Sequence, residues 1–313
     1  MSEPERGKPL VVAIVGPTCT GKTALSLQLA DQLEAEIVAC DSRTIYRYMD
    51  IGTAKPSAAE RLHTRHHLID VVDPDESYSV AQFKEAGTDV IREIVERGHL
   101  PIVCGGTGFY ARALLEGLSI PRVPPQPELR ASLRKLAERE GNQVLHQQLA
   151  ELDPESARRI NINDRFRLVR ALEVSIVCGK RFSELAGRTD PPYRTIWIGL
   201  TASNRPLLYE AISRRYQGQL QAGMLAEVEQ LLKRYGRCQS LMKTANYREL
   251  VQYLEGEIDR SQADELSVRH NCQLARRQLT WFRANRLITW FAVDRLSPDE
   301  LSEQVTTIIA ARR

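Results

Sequence analysis

Apolar positions along the chain fall into two alternating patterns. Short unbroken runs such as Leu10-Val11-Val12-Ala13-Ile14-Val15, Glu36-Ile37-Val38-Ala39-Cys40, Leu100-Pro101-Ile102-Val103-Cys104 and Thr195-Ile196-Trp197-Ile198-Gly199-Leu200 have the length of buried strands. Between them lie stretches with helical spacing: Leu25, Leu29 and Leu33, then Val80, Phe83, Val90, Ile91 and Ile94, which Gly98 closes. A short helix is expected from Ala111 to Glu116. His66 to Val72 and Leu287 to Phe291 read as further strands, and Leu207 to Arg234 and Leu266 to Arg286 as further helices. Strands alternating with helices predict an α/β fold with a parallel sheet flanked by helices.

The pattern changes in the middle. Pro121, Pro124, Pro125 and Pro127 mark a boundary, charged helical sequence runs from Glu128 to about Leu152, and Asn163 to Glu173 reads as a helix with a basic face. Residues 119–191 are therefore expected to form an all-helical insertion, with 1–118 and 192–313 together forming the α/β core.

One stretch organises that core. Gly16-Pro17-Thr18-Cys19-Thr20-Gly21-Lys22-Thr23 is G-x-x-x-x-G-K-[ST], set between the first strand and the first helix as a P-loop requires. Such a loop turns its N–H groups and a helix N-terminus toward one anionic guest. Lys22 adds a positive charge, and the Thr23 hydroxyl can hold Mg²⁺ on a phosphate oxygen. The fold expected is thus a P-loop NTPase-like sheet.

In open α/β sheets ligands sit beyond the carboxyl ends of the strands. The second strand ends at Asp41-Ser42-Arg43, and Leu100–Cys104 ends at Gly105-Gly106-Thr107-Gly108, a second glycine-rich turn opening a helix. Asp41 there can be a helix cap, a carboxylate near Mg²⁺ or a catalytic group. Thr107 would face the same cleft. Met49 to Pro56 reads as a loop punctuated by glycine and proline.

Composition excludes several classes. The 313 residues are 42% hydrophobic and carry a net charge of +3, which suits a soluble protein of about two domains. No apolar run approaches the roughly 20 residues of a membrane span, and the polar N-terminus lacks a signal-peptide core, so a cytoplasmic protein is expected. The six cysteines include no C-x-x-C pair and are expected to be reduced, buried thiols. His63, His66 and His67 match no tetrahedral metal spacing and suit packing. Between Leu266 and Arg286 there are five arginines and no acid; Arg269, Arg276 and Arg283 fall seven apart, near one helix face. With Trp281 and Phe282 among them, this segment suits contacts to a phosphate backbone.

Taken in order, the P-loop, Asp41-Ser42-Arg43 with Tyr46-Arg47, Asp50-Ile51-Gly52-Thr53-Ala54-Lys55-Pro56, Gly105–Gly108, Asn163-Asp164-Arg165, Arg170-Ala171-Leu172-Glu173 and Arg277-Gln278-Leu279-Thr280-Trp281-Phe282-Arg283 resemble the tRNA dimethylallyltransferase (IPP transferase) family, the bacterial form more closely because no C-terminal zinc finger is present. The resemblance implies transfer of a dimethylallyl group from dimethylallyl diphosphate to N6 of the adenine 3′ of the anticodon (position 37). It also implies Mg²⁺ and release of pyrophosphate.

By the same resemblance Asp41 matches the base, Thr107 its polar partner and Arg215 the arginine on the leaving group, while Gly16–Thr23 bind the diphosphate. The segments implied to touch the tRNA anticodon stem-loop are Asp41-Ser42-Arg43-Thr44, Phe166-Arg167-Leu168-Val169-Arg170, Lys243-Thr244-Ala245-Asn246-Tyr247-Arg248 and Arg276 to Arg283. A monomer is the default. Three positions depart from the family pattern: Thr44 stands where glutamine is usual, Asn246 where glycine is usual, and Gln126 where an acid is frequent. The rival classes are an adenylate isopentenyltransferase acting on free AMP, ADP or ATP, a P-loop kinase, and a non-catalytic RNA-binding protein. The arginine-rich helix counts against the first.

Overall fold

The computed structural model describes residues 7–312. Its two compact units are a core running to Leu115 and resuming at Pro192, and a unit spanning Glu116–Pro191.

The core begins with β1 (Leu10–Val15), α1 (Lys22–Leu33) and β2 (Ala35–Ala39), then α2 (Ala58–His63), β3 (His66–His67), α3 (Val80–Glu96), β4 (Leu100–Gly105) and α4 (Gly108–Leu115). The strand expected through Val72 stops after His67. Leu68 (φ 60°) and Asp70 (φ 57°) are left-handed, which ends pairing with β2. Helix α4 starts three residues earlier than the apolar pattern indicates, directly from the second glycine turn.

The helical unit holds α5 (Pro127–Glu140), α6 (Asn142–Leu152), α7 (Pro154–Arg159), α8 (Arg165–Cys178) and α9 (Phe182–Leu185). The helical sequence expected from Glu128 to about Leu152 forms two helices, divided at Gly141 (φ 85°). Its core is Leu133, Leu145, Leu149, Leu168 and Leu172. Buried Glu173 takes Arg130 at 2.6 and 2.8 Å, Arg170 at 2.5 Å and the Gln126 N–H at 2.8 Å.

The core resumes with β5 (Arg194–Thr201), α10 (Arg205–Gln221), α11 (Met224–Tyr235), α12 (Gln239–Met242), α13 (Tyr247–Leu254), α14 (Arg260–Arg283), β6 (Thr289–Ala292) and α15 (Pro298–Ala310). Gly223 (φ 99°) divides what spacing alone reads as one helix into α10 and α11. Helix α14 begins six residues earlier than expected, at a capping box between Asp259 and Gln262, and ends at Arg283.

Among the described residues the six strands are all parallel, in the order β3-β2-β4-β1-β5-β6. Alternate residues of β1 supply the two faces. Val11, Ala13 and Val15 pack with α3, α4 and Phe282 of α14, whereas Val12 and Ile14 pack with α1 and α15. A third cluster, around Tyr216, Met224, Leu231 and Tyr247, joins α10 to α13 and holds Met49 of the loop after β2. No described helix is long and apolar enough to cross a membrane. All six cysteines are free, as expected, but only Cys40 is buried; Cys19, Cys104, Cys238 and Cys272 are half-buried and Cys178 is exposed.

The histidines pack against polar partners. His67 Nε2 and His99 Nδ1 lie 2.7 and 2.9 Å from the Glu36 carboxylate, on which Arg97 makes a two-pronged contact at 2.8 and 2.9 Å. Glu36 is 3% exposed, and although burial alone would raise its pKa, these donors pull it from its ordinary 4.5 to about 2. A carboxyl with a depressed folded-state pKa stabilises the fold above its unfolded value, and that stabilisation fades as pH falls from about 4.5 toward about 2. Glu36→Ala is expected to cost about 3 kcal/mol at pH 7. In urea titrations from pH 7 to pH 3 the variant should lose stability less steeply than the parent; parallel curves would exclude this role.

Candidate active site

Strands β2, β4 and β1 lie side by side and end at one level, with Ala39 opposite Cys104 and Gly105 opposite Val15. The three segments leaving them therefore emerge together. The Cys40 N–H donates to the Cys104 carbonyl at 2.8 Å, and the Thr107 N–H to the Cys40 carbonyl at 3.2 Å. The Thr107 hydroxyl accepts from the Ser42 N–H at 3.0 Å, and Asp41 Oδ1 accepts from the Arg43 N–H at 2.8 Å. Asp41 and Thr107 are both half-buried on this stitched turn.

The P-loop is shaped by close approach. Gly16 (φ 144°) passes the β5 backbone so tightly that a Cβ would lie 2.2 Å from the Leu200 carbonyl oxygen. Thr20 Oγ1 and Lys22 Nζ both donate to the Pro17 carbonyl, at 2.9 and 2.6 Å, fixing the loop from within. Gly21 caps α1 without a side-chain hydrogen bond, so no side chain competes for the first-turn N–H groups. Burial lowers the Lys22 pKa, against the opposing pull of Cys104 and Asp41; an incoming anion would favour the charged ammonium.

Thr23 is exposed on the first turn of α1. Among the described residues no cluster of three His, Cys, Asp or Glu side chains could cage a metal. One hydroxyl beside free first-turn N–H groups is nevertheless a donor set that fits Mg²⁺, which takes few protein oxygens and completes its shell with other ligands and water.

Arg215 reaches this loop from α10. Its Nη1 donates to Thr18 Oγ1 at 2.9 Å and lies 3.8 Å from the Cys19 sulfur, and its Nη2 is 3.5 Å from the Thr53 carbonyl. The loop carrying Thr53 is held chiefly by two groups that the sequence pattern did not single out, Glu227 and Gln219. Glu227 of α11 accepts from the N–H groups of Asp50, Ile51 and Gly52 at 3.0, 2.7 and 3.2 Å, and from the Tyr247 hydroxyl at 2.6 Å. Gln219 of α10 donates to the Ile51 and Gly52 carbonyls at 2.6 and 3.1 Å. Lys55, buried, donates to Asp50 and Asp70 at 2.7 and 2.5 Å. The only signal for these partners lay in the loop motif itself, which has no fixed spacing to α10 or α11.

The RNA-contact candidates divide by burial. In the helical unit Phe166 (74% exposed) and Arg167 lie open, and Phe166 helps line a basin of about 250 Å³ with Arg130, Arg134, Arg165, Val169 and Arg170. The side chains of Leu168 and Val169 instead belong to the unit's core. Arg170 is tied to Glu173 and to the Pro121 and Val123 carbonyls, at 3.3 and 3.2 Å, so it anchors the linker.

Around α13, Lys243 is exposed and Ala245 and Arg248 are half-buried, whereas Thr244, Asn246 and Tyr247 are buried. Tyr247 serves Glu227, and Thr244 bonds the Ser240 carbonyl at 2.6 Å. Asn246 takes φ 75° and ψ −49°, a conformation that suits glycine; its side chain accepts from Asn271 at 2.6 Å and donates to Gln219 at 3.3 Å. On α14, Arg276, Arg277, Thr280 and Arg283 are exposed and Leu279 is half-buried. Phe282 is buried in the sheet core, and Gln278 and Trp281, half-buried, face the glycine turns rather than the open side of α14. Ser42 and Arg43 are half-buried. Thr44 is buried, and its hydroxyl has no protein partner.

The IPP transferase family model matches residues 44–285. A tRNA dimethylallyltransferase of Thermomicrobium roseum is 46% identical over 274 residues, covering 87% of this chain and 83% of that one. One from Caldanaerobacter subterraneus subsp. tengcongensis is 41% identical over 308 residues, covering 96% and 98%. Among solved structures, the tRNA isopentenylpyrophosphate transferase of Bacillus halodurans superposes with a TM-score of 0.73 at 39% identity, covering 97% of this chain and 96% of that one.

The Glu227 carboxylate collects three N–H groups and a phenol that have no other acceptor of comparable charge. Glu227→Ala is expected to lower stability by about 3 kcal/mol, since several partly buried donors lose their acceptor at once. Thermal melts check the size of the loss. An unchanged melting temperature would show that the loop at Asp50–Gly52 stands without it.

Proposed function

The chain belongs to the IPP transferase family, and from that premise we propose how its residues divide the work. The activity is transfer of a dimethylallyl group to tRNA. The acceptor is N6 of the adenine 3′ of the anticodon, position 37, and the donor is dimethylallyl diphosphate. The observation that carries this assignment is the meeting of Asp41, Thr107 and the P-loop at three adjacent strand ends, with Arg215 bonded to Thr18.

The adenine amino group is a weak nucleophile because its lone pair is delocalised into the ring. As N6 attacks the allylic C1, a new C–N bond forms and the C1–oxygen bond breaks, leaving pyrophosphate. Asp41 takes the N6 proton, and Thr107 holds the Asp41-Ser42 turn in place through the Ser42 N–H. The charge that gathers on pyrophosphate is met by the P-loop N–H groups, Lys22 and Arg215. Mg²⁺, held through Thr23, would supply further neutralisation of that charge.

The base must leave the anticodon stack to reach the crevice, at a cost of about a few kcal/mol. Phosphate contacts from Arg276, Arg277 and Arg283 on α14, and from the Arg134, Arg165 and Phe166 basin of the helical unit, would offset it. The buried members of the candidate segments shape these surfaces rather than touch RNA.

Labelled dimethylallyl diphosphate offered to unmodified tRNA and AMP together tests the reading, and label on tRNA alone is expected. Label on AMP would assign the free-nucleotide reaction, and ATP turnover without label would assign a kinase. Asp41→Ala should slow transfer by about 10²–10⁴-fold with tRNA affinity within about twofold of the parent. Loss of both together would make Asp41 structural.

A further inference from the structure

Helix α14 carries the proposed RNA-facing arginines on its outer side, yet its inner side is fastened to the catalytic crevice. The side-chain amide of Gln278 lies between the two glycine turns. Its Oε1 accepts from the Thr18 N–H at 2.9 Å, and its Nε2 donates to the Gly106 carbonyl at 3.1 Å. Less than a turn further on, Trp281 lies against Gly108, where a Cβ would come within 2.2 Å of the ring, and Phe282 is buried in the sheet core. Rolling or sliding α14 would break these contacts together.

The chemistry of the tie is specific. A planar amide offers an acceptor and a donor from one group, so it satisfies an N–H on one turn and a C=O on the other. Glutamate keeps the acceptor and loses the donor; alanine loses both. Thr18 is also where Arg215 arrives, through the hydroxyl. Its peptide is thus held from α14 and its side chain from α10, and a shift of that peptide displaces the arginine's anchor.

We infer that Gln278 is a positioning residue of the diphosphate site, fixing the spacing between the P-loop and the Gly106 turn so that the seating of α14 sets how well the crevice takes diphosphate. The inference rests on the reading of the P-loop as the diphosphate cradle.

The test compares the parent protein with Gln278→Ala and the near-isosteric Gln278→Glu. Calorimetric titration with pyrophosphate in Mg²⁺ needs no RNA, and steady-state transfer gives separate KM values for dimethylallyl diphosphate and tRNA. Gln278→Ala should weaken pyrophosphate binding and raise the dimethylallyl diphosphate KM by about tenfold, with the tRNA KM within about twofold. Gln278→Glu keeps the acceptor for Thr18 but sets a carboxylate beside the anion, so it should weaken pyrophosphate further than alanine does. Rescue by glutamate, an unchanged pyrophosphate affinity in Gln278→Ala, or a rise in the tRNA KM alone would overturn the inference. Should the parent bind pyrophosphate but fail to prenylate tRNA, the reaction assignment falls while the Gln278 comparison still stands; a parent that does not bind pyrophosphate overturns both.

Discussion

Holding the proposed diphosphate while its charge grows is the constraint that best accounts for how the core is arranged. Two anionic groups on one leaving molecule need many donors that are already aimed, because reorienting dipoles during the reaction would cost what catalysis must gain. A parallel sheet supplies the aim: β1 and β4 are neighbours whose last residues, Val15 and Gly105, are paired, so the turns that follow them open side by side. With β2 ending one strand further along, Asp41 arrives at the same edge without any long excursion of its own.

The cation proposed to complete the site, Arg215, comes from elsewhere, and its placement depends on a second layer of polar contacts. Arg215 sits on α10, one turn before Gln219, and both side chains reach the loop between Ile51 and Thr53. That loop hangs from Glu227 on α11 and from Lys55, which bonds Asp70 at the left-handed turn that stops β3. Asn246 joins the same layer through Gln219 and Asn271. A side-chain amide where the family usually has glycine thus holds the unusual backbone while adding two hydrogen bonds to the layer.

Much of the core was legible in sequence because its signals are local. An unbroken apolar run, a P-loop and glycine turns at strand ends each declare themselves within a few residues, and the parallel sheet follows from their alternation. Periodicity failed where one backbone torsion decides the outcome. Gly141 and Gly223 each break a helix whose apolar spacing continues across them, and left-handed Leu68 and Asp70 end a strand whose residues suit one. From the residues alone the candidate site was legible only in its strand-end members, and Arg215 entered only through the family resemblance. Glu227 and Gln219 act on backbone groups of a loop some 170 residues away, and no spacing rule links positions that only tertiary packing brings together.

Helix α14 shows why a motif match does not distribute roles evenly over its residues. At 100° per residue, Arg276 and Arg283 share one face, while Ala275, Gln278 and Phe282 share another. The first face is open and basic; the second is buried against α10, the glycine turns and the sheet. A helix built this way carries the proposed RNA surface on one face and abuts the proposed diphosphate site with the other. On the inner face Gln278, Trp281 and Phe282 fasten the helix to the glycine turns and the sheet core. The helix is the shared wall of both proposed sites, basic on its open face and fixed on its inner face.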